Sequence, residues 1–198
     1  MTGRGPDELV SLARAGDQLA WKQLYQRDAG RLVAWLRWLP RPDGAVADED
    51  VAAQAWLTAA TKIHEFRGSD DDFTGWLFGI ARHHALNDYR RGVRRQTRPA
   101  DVVRLETSSV EAERDLGLVE DHDATRRLLA LLSPREAEVI ACIDVAGLDV
   151  RATATALGMS ASAVRVARHR GLARLRRLLE ANDAPDAASV TPVEGSAG

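Results

Sequence analysis

The sequence predicts an all-α protein: two small helical domains joined by an acidic flexible linker, the C-terminal one a helix-turn-helix. Three observations carry that prediction. Apolar residues recur at helical spacing along most of the chain, while the period-two alternation of β-branched residues that marks strands is nearly absent. The stretch from Pro99 to about Asp123 is acidic, carries Thr107, Ser108 and Ser109, and has no sustained apolar face. Finally, Ser133–Glu136 and Gly158 punctuate the C-terminal part as a short helix, a tight turn and a longer basic helix. The expected boundaries are 7–98 for the first domain, 99–122 for the linker, 123–180 for the second domain and 181–198 for a disordered tail.

The elements follow in order. Trp21, Leu24, Tyr25, Leu32, Trp35, Leu36 and Leu39 form an apolar stripe, opened by an N-cap at Asp17 and ended by Pro40 and Pro42. Val51, Ala55, Ala59, Ile63 and Phe66 form a second stripe behind the acidic Asp48–Asp50, which suits a helix N-terminus. "FRGSDDDFTG" reads as a loop, and Trp76, Leu77, Ile80, Ala81 and His84 begin another helix that frays near Gly92. In the second domain Ser133, Pro134 and Glu136 occupy the N-cap, N1 and N3 places of a capping box. That helix buries Val139, Ile140 and Ile143 and stops near Gly147. Asp149 caps a short helix carrying Val150, Ala154 and Leu157; Gly158 turns the chain, and Ser160 caps the basic helix. Val164, Leu172, Leu175 and Leu179 lie on one side of that last helix. The residues after it are rich in Ala, Pro, Ser and Gly.

Composition narrows the function. Of 198 residues 45% are hydrophobic, enough for buried cores, and the formal net charge is −2. The positive charge is nevertheless gathered in two islands, +5 over 82–98 and +6 over 161–178. Two islands on an acidic background imply two separate contacts with a polyanion, with further affinity supplied by something else. A single cysteine, Cys142, fits a reducing cytosol and reads as a core residue beside Val139, Ile140 and Ile143. His83 and His84 are adjacent and so point to different helix faces, and no Cys, Asp or Glu set completes a metal site. No phosphate loop, nucleophile–base motif or membrane span is apparent, so neither cofactor, small-molecule substrate nor membrane insertion is expected.

Two long stretches carry a family resemblance. "LLALLSPREAEVIACIDVAGLDVRATATALGMSASAVRVARHRGLARLRRLL" resembles the fourth conserved region of bacterial extracytoplasmic-function (ECF, group IV) sigma factors of the sigma-70 family. The "LSPRE" opening alone is shared with LuxR-type regulators. "DEDVAAQAWLTAATKIHEFRG" followed by "FTGWLFGIARHHALNDYRR" resembles the family's second region, and both regions occur in the right order around a tether. The resemblance implies a cytoplasmic subunit that docks on core RNA polymerase, directs it to promoter DNA and is controlled by an anti-sigma factor. It puts Asp50, Gln54, Trp56 and Leu57 on the helix that meets the polymerase. Phe66, Arg67, Phe73, Trp76, Arg82, His83, Asn87, Arg90 and Arg91 fall where the family engages the −10 element. Ser160, Ser162, Arg165, Arg168, His169, Arg170 and Arg174 fall where it reads the −35 element. Opening a duplex needs stacking and phosphate contact rather than nucleotide hydrolysis, so no enzyme activity is expected.

The chain departs from the family's pattern at several places. Ala53–Gln54 stands where many members have Gln followed by an acid, His83 replaces a frequent Asn, and Gly79 a frequent basic residue. Val166–Ala167 replaces a polar–Arg pair, and Asp70–Asp72 puts three acids in a loop expected near DNA. Three other functions compete: a stand-alone helix-turn-helix regulator, a nucleic-acid enzyme using the acidic triplets for metal, and a Trp-rich scaffold for a partner protein.

Overall fold

The computed structural model describes residues 8–39, 46–96, 125 and 127–183. All regular structure among them is helical. The linker and the tail from residue 184 onward lie outside the described residues.

The described residues open with a short helix that the sequence pattern does not predict, α1 (Glu8–Arg14). Seven residues rarely hold a helix by themselves, and α1 is fastened from elsewhere. The backbone N–H groups of Leu9 and Val10 donate to the Asp70 carboxylate at 2.9 and 2.8 Å. Arg14 donates to the carbonyl of Phe66 at 2.9 Å. Gly16, at φ 90°, turns the chain into α2 (Gln18–Leu36), whose N-cap Asp17 accepts from Leu19 and Ala20 as expected. Leu24, Leu32, Trp35 and Leu36 are buried along α2, whereas Tyr25, from the same apolar stripe, is 55% exposed. Asp28 is wholly buried. It accepts from Arg27 at 2.9 Å, Arg31 at 3.1 Å and the Thr74 hydroxyl at 3.0 Å, the partners a buried carboxylate needs.

Helix α3 (Asp48–Lys62) starts with three acids and ends with a lysine, complementing its dipole. Its small residues Ala52, Ala55 and Ala59, with Val51, lie in the core. Helix α4 runs from Asp70 to Gln96, which corrects one expectation: the acidic triplet is its first turn rather than loop; Gly92 lies near its end, in its last two turns. Ser69 caps it, donating its hydroxyl to Asp72 at 2.8 Å while the Asp72 N–H donates back. Asp70 is buried, leaving Asp71 as the exposed acid of the three.

The C-terminal group opens with a helical turn at 127–130. Helix α5 (Pro134–Ile140) follows, with its capping box complete. A π turn, Ala141–Val145, carries the helix on to Gly147, at φ 67°. Asp149 caps α6 (Val150–Leu157), and Gly158, at φ 64°, turns into α7 (Ala161–Asp183). Helix α7 runs three residues into the stretch read as tail, and Leu179 on its expected apolar side is 47% exposed.

The two groups are packed against each other. Helix α6 lies along α4. A Cβ on Gly75 would meet the Ala152 carbonyl oxygen at 2.7 Å, so glycine is what lets the two backbones approach. This seam also rotates the buried face of α6: Ala152, Thr153 and Ala156 are buried, while Val150 and Ala154 are half-exposed. Arg31 donates to the carbonyls of Ala146 and Gly147 at 2.8 and 2.7 Å. Arg151 pairs with Asp72 at 2.8 Å, and Arg82 with Glu138 at 3.0 Å.

Candidate nucleic-acid interface

Helix α7 is held by its inner face. Val164 is fully buried and Ala167 nearly so. A Cβ on Gly171 would meet Ile140 Cδ1 at 2.7 Å and Glu136 Cβ at 3.3 Å, so glycine again permits close packing. The first turn is organised by Ser160, whose hydroxyl accepts from the Ala163 N–H at 3.2 Å and lies 3.0 Å from the Ser162 hydroxyl. With Val164 and Ala167 turned inward, Ser162, Arg165, Val166, His169, Arg170 and Arg174 are exposed.

Arg168 belongs to this row by sequence but is turned aside. Its Nε donates to Asp144 on the π turn at 3.0 Å, and that bond holds the guanidinium more firmly protonated than usual. Glu136 lies near the same helix. Its carboxyl is held below the ordinary range by the Ser133 hydroxyl and N–H and, less, by the charges of Arg174 and Arg170, while burial opposes the shift.

The second basic surface is on α4. Arg90 and Arg91 are exposed near its end; His83 is exposed and lies 2.9 Å from the half-exposed Asn87 amide. Arg82 is 28% exposed and clasped by Glu138. Arg67 is exposed but curls onto the His64 carbonyl at 2.7 Å. Phe66 and Phe73 differ from the surface role read from sequence. Their relative exposures are 6% and 0%, and their rings pack edge-on 6.0 Å apart. They are core residues because α1, α2 and α3 close over them. Trp76, half-exposed with its ring 4.8 Å from Phe66, is an aromatic that does reach that surface.

On α3, Asp50, Gln54 and Leu57 are exposed, Leu57 by 69%. Trp56 is half-buried, 5.1 Å from the Tyr25 ring. Tyr25 thus extends the exposed apolar face onto α2. Its helical phase assigns it to the core, whereas it packs on one side against Trp56 and is 55% exposed. Cys142 is wholly buried beside Trp35, and burial chiefly, with Glu138 next, pushes its thiol up to about 12. No group of three His, Cys, Asp or Glu suited to a metal occurs among the described residues. No described helix is long and apolar enough to cross a membrane.

A helix-turn-helix whose second helix presents basic side chains defines a DNA-binding transcription factor. The comparisons sharpen that class. The Sigma-70 region 2 family matches residues 24–95, and Sigma-70, region 4 matches residues 122–175. The ECF RNA polymerase sigma factor SigD of Mycobacterium tuberculosis is 32% identical over 181 residues, 89% of this chain and 84% of the relative. SigM of the same species is 31% identical over 178 residues, 89% and 85% of the two chains. CnrH, solved in complex with the cytosolic domain of CnrY, superposes with a TM-score of 0.64 at 24% identity, covering 88% of this chain and 96% of that one. RpoE of Bartonella quintana, solved with the anti-sigma factor NepR, gives a TM-score of 0.57 at 20% identity, covering 80% and 95%. The chain belongs to the ECF RNA polymerase sigma factors of the sigma-70 family, which are transcription-initiation factors.

Proposed function

We propose that this chain acts in the cytoplasm as an alternative sigma factor: it binds core RNA polymerase, engages the −10 element through residues 7–98 and the −35 element through residues 123–180, and is restrained by an anti-sigma factor. The observation that carries the reading is the pair of basic surfaces on α4 and α7, separate from an exposed apolar face at Leu57 and Tyr25. The apolar face, with Asp50 and Gln54 beside it, meets the polymerase. Trp76, Arg82, His83, Asn87, Arg90 and Arg91 face −10 DNA. Phe66 and Phe73 support Trp76 from beneath, and Arg67 lies at the edge of that surface. Ser160, Ser162, Arg165, His169, Arg170 and Arg174 face −35 DNA, and Arg168 joins them only on release from Asp144. The chain contributes binding and strand separation and performs no bond-breaking chemistry.

The packed arrangement adds a condition. Positions −35 and −10 lie 25 base pairs apart, or about 85 Å along a straight duplex at ~3.4 Å per step. With α4 touching α6 and α6 touching α7, two helix diameters separate the readers, roughly 20–25 Å. The two groups therefore part before both elements are engaged. An anti-sigma factor that keeps them together would restrain the protein; the two structural relatives were both solved as complexes with a protein partner.

Co-elution with sigma-free core RNA polymerase, alongside Asp50→Arg, tests the reading. Stable co-elution lost in the variant supports it. Failure to co-elute, together with tight duplex binding by the free chain, would move the function to a stand-alone helix-turn-helix regulator.

A further inference from the structure

The exposed face of α7 contains an apolar side chain that the chain's own packing does not explain. Val166 is 48% exposed, whereas its neighbours Val164 and Ala167 fill the inner face. Ser162 lies four residues before it, and His169 and Arg170 three and four residues after. At those spacings side chains on a helix are direct neighbours. Val166 is therefore the centre of a polar, basic patch rather than the rim of the core.

Two further observations fix what that centre meets. Arg168, one of the basic groups on these turns, is withdrawn onto Asp144, so the patch presents a valine flanked by Arg165 and Arg170. Val166 also lies in the second turn of a helix whose first turn is pinned by Ser160 and Ser162. In a helix-turn-helix, this N-terminal part enters the major groove and faces base edges, while residues farther along meet phosphates. Among the base edges displayed in that groove, the C5 methyl of thymine is the apolar group.

We propose that Val166 is a base-specificity residue that packs on the C5 methyl of a thymine in the upstream promoter element, between bases or phosphates held by Arg165 and Arg170. This rests on the sigma-factor reading above and adds to it one base of the recognised sequence. Burial of one methyl group between Val166 and the base accounts for about a fourfold preference for thymine over the same base without its methyl.

The test uses holoenzyme assembled from the full chain and core RNA polymerase. It is offered duplexes carrying a long randomised stretch, in two pools, one built with thymidine and one with deoxyuridine in its place. Bound molecules are sequenced. The wild-type holoenzyme is expected to select thymine at one position of the upstream block, and to lose about fourfold enrichment there in the deoxyuridine pool. Val166→Ala is expected to treat the two pools alike at that position and keep its preferences at the others. Val166→Ser serves as a second variant, and co-elution with core monitors folding of both. Selection of an upstream block with no thymine–deoxyuridine difference, or a difference that survives in Val166→Ala, overturns the assignment while leaving the sigma reading standing. Failure of the wild-type holoenzyme to select any upstream block overturns both.

Discussion

Alanine at position 75 would wedge the two helical groups apart. The added Cβ meets the Ala152 carbonyl oxygen at 2.7 Å, Ala152 Cα at 2.9 Å and Thr155 Cβ at 3.1 Å. Two of these are backbone atoms of α6 and cannot rotate away, so α4 and α6 must separate. Overpacking of this kind costs ~1–3 kcal/mol. Alanine also favours the interior of α4 by ~1 kcal/mol over glycine, but that gain is present whether the groups are packed or parted and cancels from the opening equilibrium. The parted population is therefore expected to rise about 5- to 150-fold. Cys142 supplies the readout. It is the sole cysteine, fully buried beside Trp35 of α2 with its thiol pushed up to about 12, and it becomes reactive when the π turn leaves α2. With reagent limiting relative to reclosing, the rate of maleimide labelling follows the parted population. Gly75→Ala should label about 5- to 150-fold faster than wild type, while the overpacking cost less the helix gain lowers global stability by no more than ~2 kcal/mol, a drop of under about 8 °C in melting temperature. An unchanged labelling rate in a well-folded variant would refute the view that Gly75 sets the closeness of the seam. Faster labelling with a collapsed melting temperature would mean general loosening instead.

Three further outcomes are expected. Asp28→Ala leaves Arg27 and Arg31 facing a buried site without their carboxylate, and a urea titration should show a loss of about 3 kcal/mol; a loss below about 1 kcal/mol contradicts the structural role given to this cluster. Glu138→Gln releases Arg82, so duplex binding by the free chain, followed by anisotropy against salt, should strengthen and its log–log salt slope steepen by about 0.9; an unaltered slope would show that Arg82 does not reach phosphate. His84 has its pKa lowered from 6.5, chiefly by burial and then by His83, with Asp88 opposing. The folded chain therefore binds this proton less readily than the unfolded chain, and stability falls as pH drops below roughly 6.5. A melting-temperature series from pH 7.5 to 5.5 should show a drop that shrinks in His84→Gln.

The elements that were legible in the sequence are those whose determinants lie within a few residues of one another. Ser133 with Glu136, Asp17 with the N–H groups of Leu19 and Ala20, Asp149 with Ala152, and glycine at 147 and 158 all act locally. Each is found where its spacing placed it. Helix α1 was invisible for the opposite reason, because its orphan N–H groups are satisfied by Asp70, some sixty residues away. The same contact takes Asp70 of the acidic triplet out of solvent. Three aspartates in succession suggest a solvated loop, yet Asp70 is buried as the cap of α1 and Asp72 closes the cap of α4. Phe66 and Phe73 carried the aromatic character expected of a base-capturing surface, and nothing in their spacing said that α1, α2 and α3 close over them.

By itself the sequence determined the helical class, the caps and turns of the helix-turn-helix, and the two islands of arginine, because periodicity, capping and charge are properties of neighbours along the chain. Only the tertiary structure decided which of those arginines are free. Arg82 and Arg168 are identical in kind to Arg90 and Arg165, but Glu138 and Asp144 stand opposite the first two. It also decided that α6 has a second buried face, because Gly75 lets α4 lie against it. An acid, a glycine and an arginine far apart in the chain become one contact only when the backbone brings them within a few ångströms, and no local pattern encodes that distance.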